Sequence, residues 1–286
     1  MRQMRRRSAS KEMMRMKKLE GVANTTYVPL IARIAVSKRF PEYFFDQAAL
    51  DLEAKIPAGA EKGSYEYSNI ASVARYYNLD GMISVFAEAH EACNVVLLGL
   101  GLETAAYRLG SALSDKDVRW FGVDLPETIA QRRAAFGEEN ALTLVEGDMF
   151  AMGWVGALDA SRPTLLVVSG VFQYFEPEQV KDFVRSCAAA FPRGEMAFDA
   201  TNEDGLKFAN RFIKRTGNAD ALMRFFVNDA HAFADETSTT LMEERVFFED
   251  ALRLLGRRLG IVSRISMRVA DKKRRTKLIR LGFPGK

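Results

Sequence analysis

The stretch Asn94-Val95-Val96-Leu97-Leu98-Gly99-Leu100-Gly101-Leu102-Glu103-Thr104 decides the fold. A short apolar run, Asn94–Leu98, stops at a glycine turn, and Thr104–Leu113 behind it can form a helix. A continuous apolar run of this length fits a strand buried on both faces of a parallel sheet. Glycines let the backbone turn tightly and approach a ligand closely, and the N-terminus of the following helix favours a negative group such as a carboxylate. A Gly-x-Gly turn alone is equally a ligand-free tight turn, so its flanks carry the reading.

Downstream, the strand-helix pattern repeats. Val118–Val123 reads as a second strand ending at Asp124, with Pro126 opening a helix that Glu127–Phe136 continues. Leu142–Val145 and Thr164–Val168 read as the third and fourth strands, Pro177–Ala190 as a helix, and Glu195–Ala200 as the fifth strand. Strands alternating with helices indicate an α/β fold with a doubly wound, mostly parallel sheet. Near the end, Gly260–Val269 alternates, Asp271–Thr276 is a charged turn, and Lys277–Phe283 returns, so a terminal antiparallel hairpin is expected there. Residues 201–250 are expected to be a helical insertion shaping a substrate site.

Upstream, Ile70, Val73, Tyr77, Met82, Val85 and Phe86 recur at near-helical spacing, predicting an amphipathic helix over Asn69–Ala89. Tyr27–Val36 is an apolar helical run with Arg33 embedded in it, and Phe44–Leu52 predicts a second short helix. Residues 57–68 read as loop, and residues 1–20 as a basic N-terminal arm.

The 286 residues, 48% hydrophobic and 27% charged, suit a globular chain with a full core. No apolar run approaches the roughly 20 residues of a membrane helix, and no apolar leader follows the basic start, so a cytoplasmic protein is expected. The net charge of +4 is uneven: residues 1–20 carry eight basic and two acidic groups, residues 251–286 twelve and one, which leaves −13 between them. An acidic body with basic ends does not have the composition of a nucleic-acid binder. Cys93 and Cys187 lack metal spacing, and two histidines, His90 and His231, leave little room for histidine-based metal or triad chemistry, so no metal is expected.

Four motifs fall at the carboxyl ends of the expected strands, where open α/β sheets bind ligands. The first is the turn Gly99-Leu100-Gly101. In the second, Asp124-Leu125, the carboxylate can accept bonds from both ribose hydroxyls of a nucleoside or cap the following helix. The third, Glu146-Gly147-Asp148-Met149, sets an acid beside an apolar side chain and can hold an adenine by its amino group and face, or form a polar turn. The fourth is Ser169-Gly170-Val171-Phe172-Gln173-Tyr174-Phe175.

Together, GLGLET followed by AYRL, then RWFGVDLP, PTLLVVSGVFQYF and EMAFDA, resemble the leucine carboxyl methyltransferase family, which includes polyketide O-methyltransferases related to tetracenomycin synthesis. The upstream GVANTTYVPLIARI is similar to the family's N-terminal region, so the resemblance runs from about Gly21 to the C-terminus and is most specific across 90–200. It implies a Rossmann-like, seven-stranded class I methyltransferase domain over 91–286, a helical cap over 21–90 acting as a cofactor lid, and S-adenosyl-L-methionine as cofactor. By position, Gly99, Leu100 and Gly101 would contact its methionine part, Asp124 and Leu125 the ribose, and Asp148 and Met149 the adenine. Arg75 matches an arginine that pairs with the cofactor carboxylate, and a guanidinium fork suits that task. Ser169, beside Gly170, departs from the family, whose members often carry a glutamate there facing the cofactor ammonium.

The expected reaction is O-methylation of a carboxylate or hydroxyl on a small molecule. Acceptor-side candidates are Arg33, Tyr67, Tyr174 and Asn202. Two other readings stay open. A nicotinamide-dependent oxidoreductase also uses a glycine turn and a downstream acid, although the third glycine of Gly-x-Gly-x-x-Gly is missing. An RNA methyltransferase, or a non-catalytic binding protein, would use the basic ends, above all Lys272-Lys273-Arg274-Arg275, which otherwise is a charged hairpin tip.

Overall fold

The computed structural model describes residues 27–57, 64–215 and 222–285. The expected basic arm 1–20 and residues 21–26 of the expected cap lie outside the described residues.

Alternation of buried apolar residues builds the sheet. Strands β1 (Ala92–Leu98) and β4 (Thr164–Val168) lie side by side at its centre, with Cys93–Leu98 and Thr164–Val168 all buried. Val95, Leu97, Leu165 and Val167 turn to one core, and Val96, Leu98, Leu166 and Val168 to the other. Burying one such side chain contributes roughly 1.5–3 kcal/mol, so a strand stocked on both faces is stable only between two helical layers. With β2 (Asp117–Asp124), β3 (Thr143–Glu146), β5 (Glu195–Thr201), β6 (Thr240–Val246) and β7 (Thr276–Gly282), the order is β3-β2-β1-β4-β5-β7-β6. The first five strands run parallel, β7 pairs antiparallel with β5, and β6 antiparallel with β7.

Among the described residues helix α1 covers 27–39, followed by α2 (Gln47–Asp51). Helix α3 (Glu66–Glu88) starts three residues earlier than expected, where Ser68 Oγ accepts the Tyr65 N–H at 3.1 Å. Its Ile70, Val73, Leu79, Met82, Ile83 and Phe86 pack into the first core. Then come α4 (Ala105–Gly110), α5 (Pro126–Phe136), α6 (Pro177–Ala190), α7 (Glu203–Arg215), α8 (Ala230–Glu236), α9 (Glu249–Leu255) and α10 (Ile261–Lys272).

The antiparallel end of the sheet is present, but its members differ from the expected hairpin. Gly260–Val269 was expected as a strand and is instead most of α10; the antiparallel partner of β7 is β6, from within 201–250. That segment is therefore not wholly helical. The pattern IVSRISMRVADK satisfies both periods. On the helix, Ser263, Met267 and Ala270 are buried at i, i+4 and i+7, while Val262, Ile265 and Val269 remain 79%, 55% and 39% exposed on another face. Lys272–Arg275 accordingly ends α10 and leads into β7, and is not a hairpin tip.

Candidate active site

A cavity of about 1380 Å³ opens at the carboxyl ends of β1, β2, β4 and β5. It holds the switch point between β1 and β4, where such sheets bind ligands. All ten residues expected to hold a cofactor line it: Arg75, Gly99, Leu100, Gly101, Asp124, Leu125, Asp148, Met149, Ser169 and Gly170.

The glycine turn is fixed from both sides. Gly99 has φ +67°, and a Cβ there would collide with Val171. On the cavity side, Asp124 Oδ2 accepts the Gly101 N–H at 2.8 Å and Oδ1 accepts the Leu125 N–H at 2.7 Å. Burial raises the Asp124 pKa against the pull of those bonds. Behind the turn, Arg132 donates to the carbonyls of Gly101 and Glu103 at 3.0 and 2.7 Å, and Arg33 to that of Leu102 at 2.6 Å. Asp148 caps the Phe150 N–H at 2.9 Å, and Met149 is buried beside it.

Arg33 was expected on the acceptor side. The structure leaves it 1% exposed, paired with Asp46 at 3.0 Å and bonded to Thr104 as well as Leu102. Asp46 also holds Arg108 at 3.2 Å, and Arg108 holds Asp80 and Glu103 at 2.7 and 2.9 Å. Burial alone would raise the Asp46 pKa, yet Arg33 and Arg108 outweigh it and the net shift is downward. Asp80 goes the other way: burial pushes it up to about 6 despite Arg108, with Glu103 and Asp46 adding to the rise. Arg33 therefore braces the turn, because its embedding in an apolar helix required an internal counter-charge.

Sequence reasoning missed Asp199. Val168 is opposite Phe198 across the β4–β5 pair, so Ser169 comes level with Asp199 at the strand ends. Asp199 Oδ1 accepts the Gly170 N–H at 2.5 Å, and Oδ2 stands 3.5 Å from Arg75 Nη1. Its position at the end of EMAFDA was the available signal. Nearby, the buried Ser72 Oγ, Arg75 Nε and Ser169 Oγ have no hydrogen-bond partner among the described residues.

Beyond the turn, the cavity runs between α7 and α10, past Phe208, Val262, Ile265 and Val269. Arg33, Tyr67 and Tyr174 line it; Asn202 stands outside the lining, its side chain accepting the Gly205 N–H and donating to the Lys273 carbonyl at 2.8 and 2.9 Å. Burial raises the Tyr67 pKa, while Arg275 pulls it down. Neither histidine lines the cavity.

A model of the leucine carboxyl methyltransferase family matches residues 27–188. The chain belongs to the leucine carboxyl methyltransferase family. It is a methyltransferase whose cofactor is S-adenosyl-L-methionine, and the nicotinamide alternative falls. A curated relative, the tetracenomycin polyketide synthesis O-methyltransferase TcmP of Streptomyces glaucescens, is 24% identical over 210 residues, covering 70% of this chain and 74% of its own. A DUF574 family protein of Streptomyces avermitilis matches in structure with a TM-score of 0.57 at 16% identity, over 88% of this chain and 97% of its own. An S-adenosylmethionine-dependent methyltransferase of Mesorhizobium loti matches with a TM-score of 0.50 at 15% identity, over 74% and 99%. Both structures share the fold. Among the described residues, no helix is long and apolar enough to cross a membrane, and no acidic, histidine or cysteine cluster could hold a metal ion.

Proposed function

We propose that the protein transfers the methyl group of S-adenosylmethionine directly to an oxygen, carboxylate or hydroxyl, of a small organic acceptor. The observation that carries this is the continuity of the cavity, which starts at the glycine turn and extends into an apolar space between α7 and α10 with no histidine on its wall. Placing a nucleophile in line with a reactive methyl needs alignment and exclusion of water more than acid–base help. An acidic oxygen is already charged and needs no general base, whereas an aliphatic alcohol does.

The residues present fit the cofactor. Arg75, with its Nε buried and unpaired among the described residues, would grip the methionine carboxylate; Gly99, Leu100 and Gly101 would lie along the methionine backbone. Asp124 keeps lone pairs for the ribose hydroxyls beyond the two backbone bonds it accepts, with Leu125 beside it, and Asp148 and Met149 would take the adenine. Ser169 and Gly170 would meet the ammonium group, with Asp199 supplying from the next strand the negative charge that Ser169 lacks. The bound cofactor supplies an electrophilic methyl on a sulfonium. Tyr67 and Tyr174 would contact the acceptor; Arg33 lines the cavity with its guanidinium held by Asp46, and Asn202 bonds Gly205 and Lys273 outside the lining. The 24% identity to TcmP over most of both chains supports an oxygen acceptor.

The test is transfer of radiolabel from methyl-labelled S-adenosylmethionine to the small-molecule fraction of a cell extract, followed by mild base. Label released as methanol marks an ester, and a base-stable phenolic product marks an ether; either supports the proposal. Label on nitrogen, carbon or RNA contradicts it.

A further inference from the structure

We infer that the acceptor end of this cavity contains an anion-binding subsite, formed by Arg275, Thr276 and Thr201, which anchors an acidic group on the methyl acceptor. The inference rests on the methyl-transfer reading above and adds the chemical class of the acceptor.

Arg275 is the last residue before β7 and lines the cavity. Its guanidinium carbon lies 5.1 Å from the centre of the Phe208 ring, and its Nε is buried with no hydrogen-bond acceptor among the described residues. Arg274 and Lys277 beside it are paired: both reach Glu244, at 3.1 and 3.0 Å. Among the described residues, no carboxylate pairs with Arg275. Thr201 is paired directly with Thr276 across β5 and β7. Both hydroxyls are buried without a partner among the described residues, and both residues line the cavity.

A buried polar group left unpaired costs about 1–3 kcal/mol. Here a guanidinium N–H and two hydroxyls belong to residues that line one cavity, with Thr276 next to Arg275 in the chain and opposite Thr201 across the strands. An acceptor anion satisfies all three, and a guanidinium with hydroxyl donors suits a carboxylate or sulfonate. The backbone under Arg275 is held in advance. Asn202 N–H donates to the Arg275 carbonyl at 3.1 Å, and Gly205 packs on that carbonyl too closely for any Cβ. A fixed backbone lowers the ordering cost of binding. The adjoining wall of Phe208, Val262, Ile265 and Val269 is apolar, so the ligand class is an apolar body bearing an acidic group apart from the oxygen that is methylated. Donors that hold an oxyanion also weaken it as a nucleophile. The anchored group is thus a handle, and the oxygen that is methylated lies elsewhere on the acceptor.

The test is calorimetric titration of the protein, saturated with S-adenosylhomocysteine, with 2-naphthoate and with its neutral analogue 2-naphthamide. The wild type is expected to prefer naphthoate by about tenfold or more, the effect of one charge-assisted bond. Arg275→Met should erase the preference and leave S-adenosylhomocysteine affinity unchanged, Arg275→Lys should keep part of it, and Thr276→Val should weaken naphthoate alone. Equal binding of the two probes by the wild type, or an undiminished preference in Arg275→Met, overturns the subsite. S-adenosylhomocysteine binding without a naphthoate preference sinks the subsite only; failure of S-adenosylhomocysteine to bind removes the methyl-transfer reading and the subsite with it.

Discussion

Arg75 Nη1 stands 3.5 Å from Asp199 Oδ2, joining the middle of α3 to the end of β5 across the cavity wall. Asp199 uses its other oxygen on the Gly170 N–H, so one carboxylate positions both the guanidinium and the turn after β4. Coulombic attraction to Asp199 raises the Arg75 pKa even against burial, and the side chain stays charged.

Arg75 should matter for the cofactor. Arg75→Met is expected to raise the dissociation constant of S-adenosylhomocysteine about 10- to 100-fold, the worth of roughly 1.5–3 kcal/mol for a bond to a charged group. Arg75→Lys should fall between, since an ammonium lacks the fork. Calorimetry reads the outcome; unchanged affinity in both variants would remove Arg75 from the cofactor site.

Gly170 has φ +70°, and a Cβ there would lie 2.6 Å from Arg75 Nη1. Gly170→Ala is therefore expected to cost roughly 1–2 kcal/mol in backbone strain and to displace the guanidinium, lowering both the melting temperature and the affinity for S-adenosylhomocysteine. Gly110→Ala, with nothing within 4 Å of its added methyl, serves as the control and should do neither.

Arg33 and Asp46 are 1% and 0% exposed, so breaking the pair leaves a charge in the interior. Arg33→Met is expected to reduce unfolding free energy by about 3–5 kcal/mol in urea titrations. Acceptor-probe binding to the remaining folded protein should be unaltered. A stable variant with lost acceptor binding would return Arg33 to the acceptor side.

Asp80 gives a pH signature. Its folded pKa of about 6 lies above the ordinary 3.8, because burial outweighs Arg108. The folded protein thus holds a proton that the unfolded chain releases. The stability from this proton is present below about pH 4 and is lost as pH rises to about 6. Asparagine does not titrate, so the melting temperature of the wild type minus that of Asp80→Asn should fall between pH 4.5 and 7.5. A difference that rises over this range would reverse the assignment.

The strand ends were legible in the sequence because buried parallel strands read as apolar runs, and what stops them is conspicuous: Gly99, Asp124 and Ser169. Less legible was the antiparallel end. Thr240–Val246 carries Glu243, Glu244 and Arg245 and meets its partner β7 only after two intervening helices, so local patterning did not mark it as a strand. In α10, two buried or cavity-facing stripes share one helix and imitate strand alternation. Arg33 looked available to a ligand because its partner Asp46 is thirteen residues away, across a chain turn. Asp199 drew no functional reading and Arg275 was read only as part of a basic run, because each sits in a segment that local sequence explains otherwise, a strand core and a charged turn. Only pairing across β4, β5 and β7 brings them to the cavity.

The most direct measurement is calorimetric titration of S-adenosylhomocysteine into the wild-type protein and into Asp124→Ala. Binding in the range of about 1–100 µM is expected for the wild type, with a loss of about 100-fold or more in the variant. No binding by the wild type at millimolar ligand would contradict the methyltransferase account, and undiminished binding by Asp124→Ala would contradict the site at the end of β2.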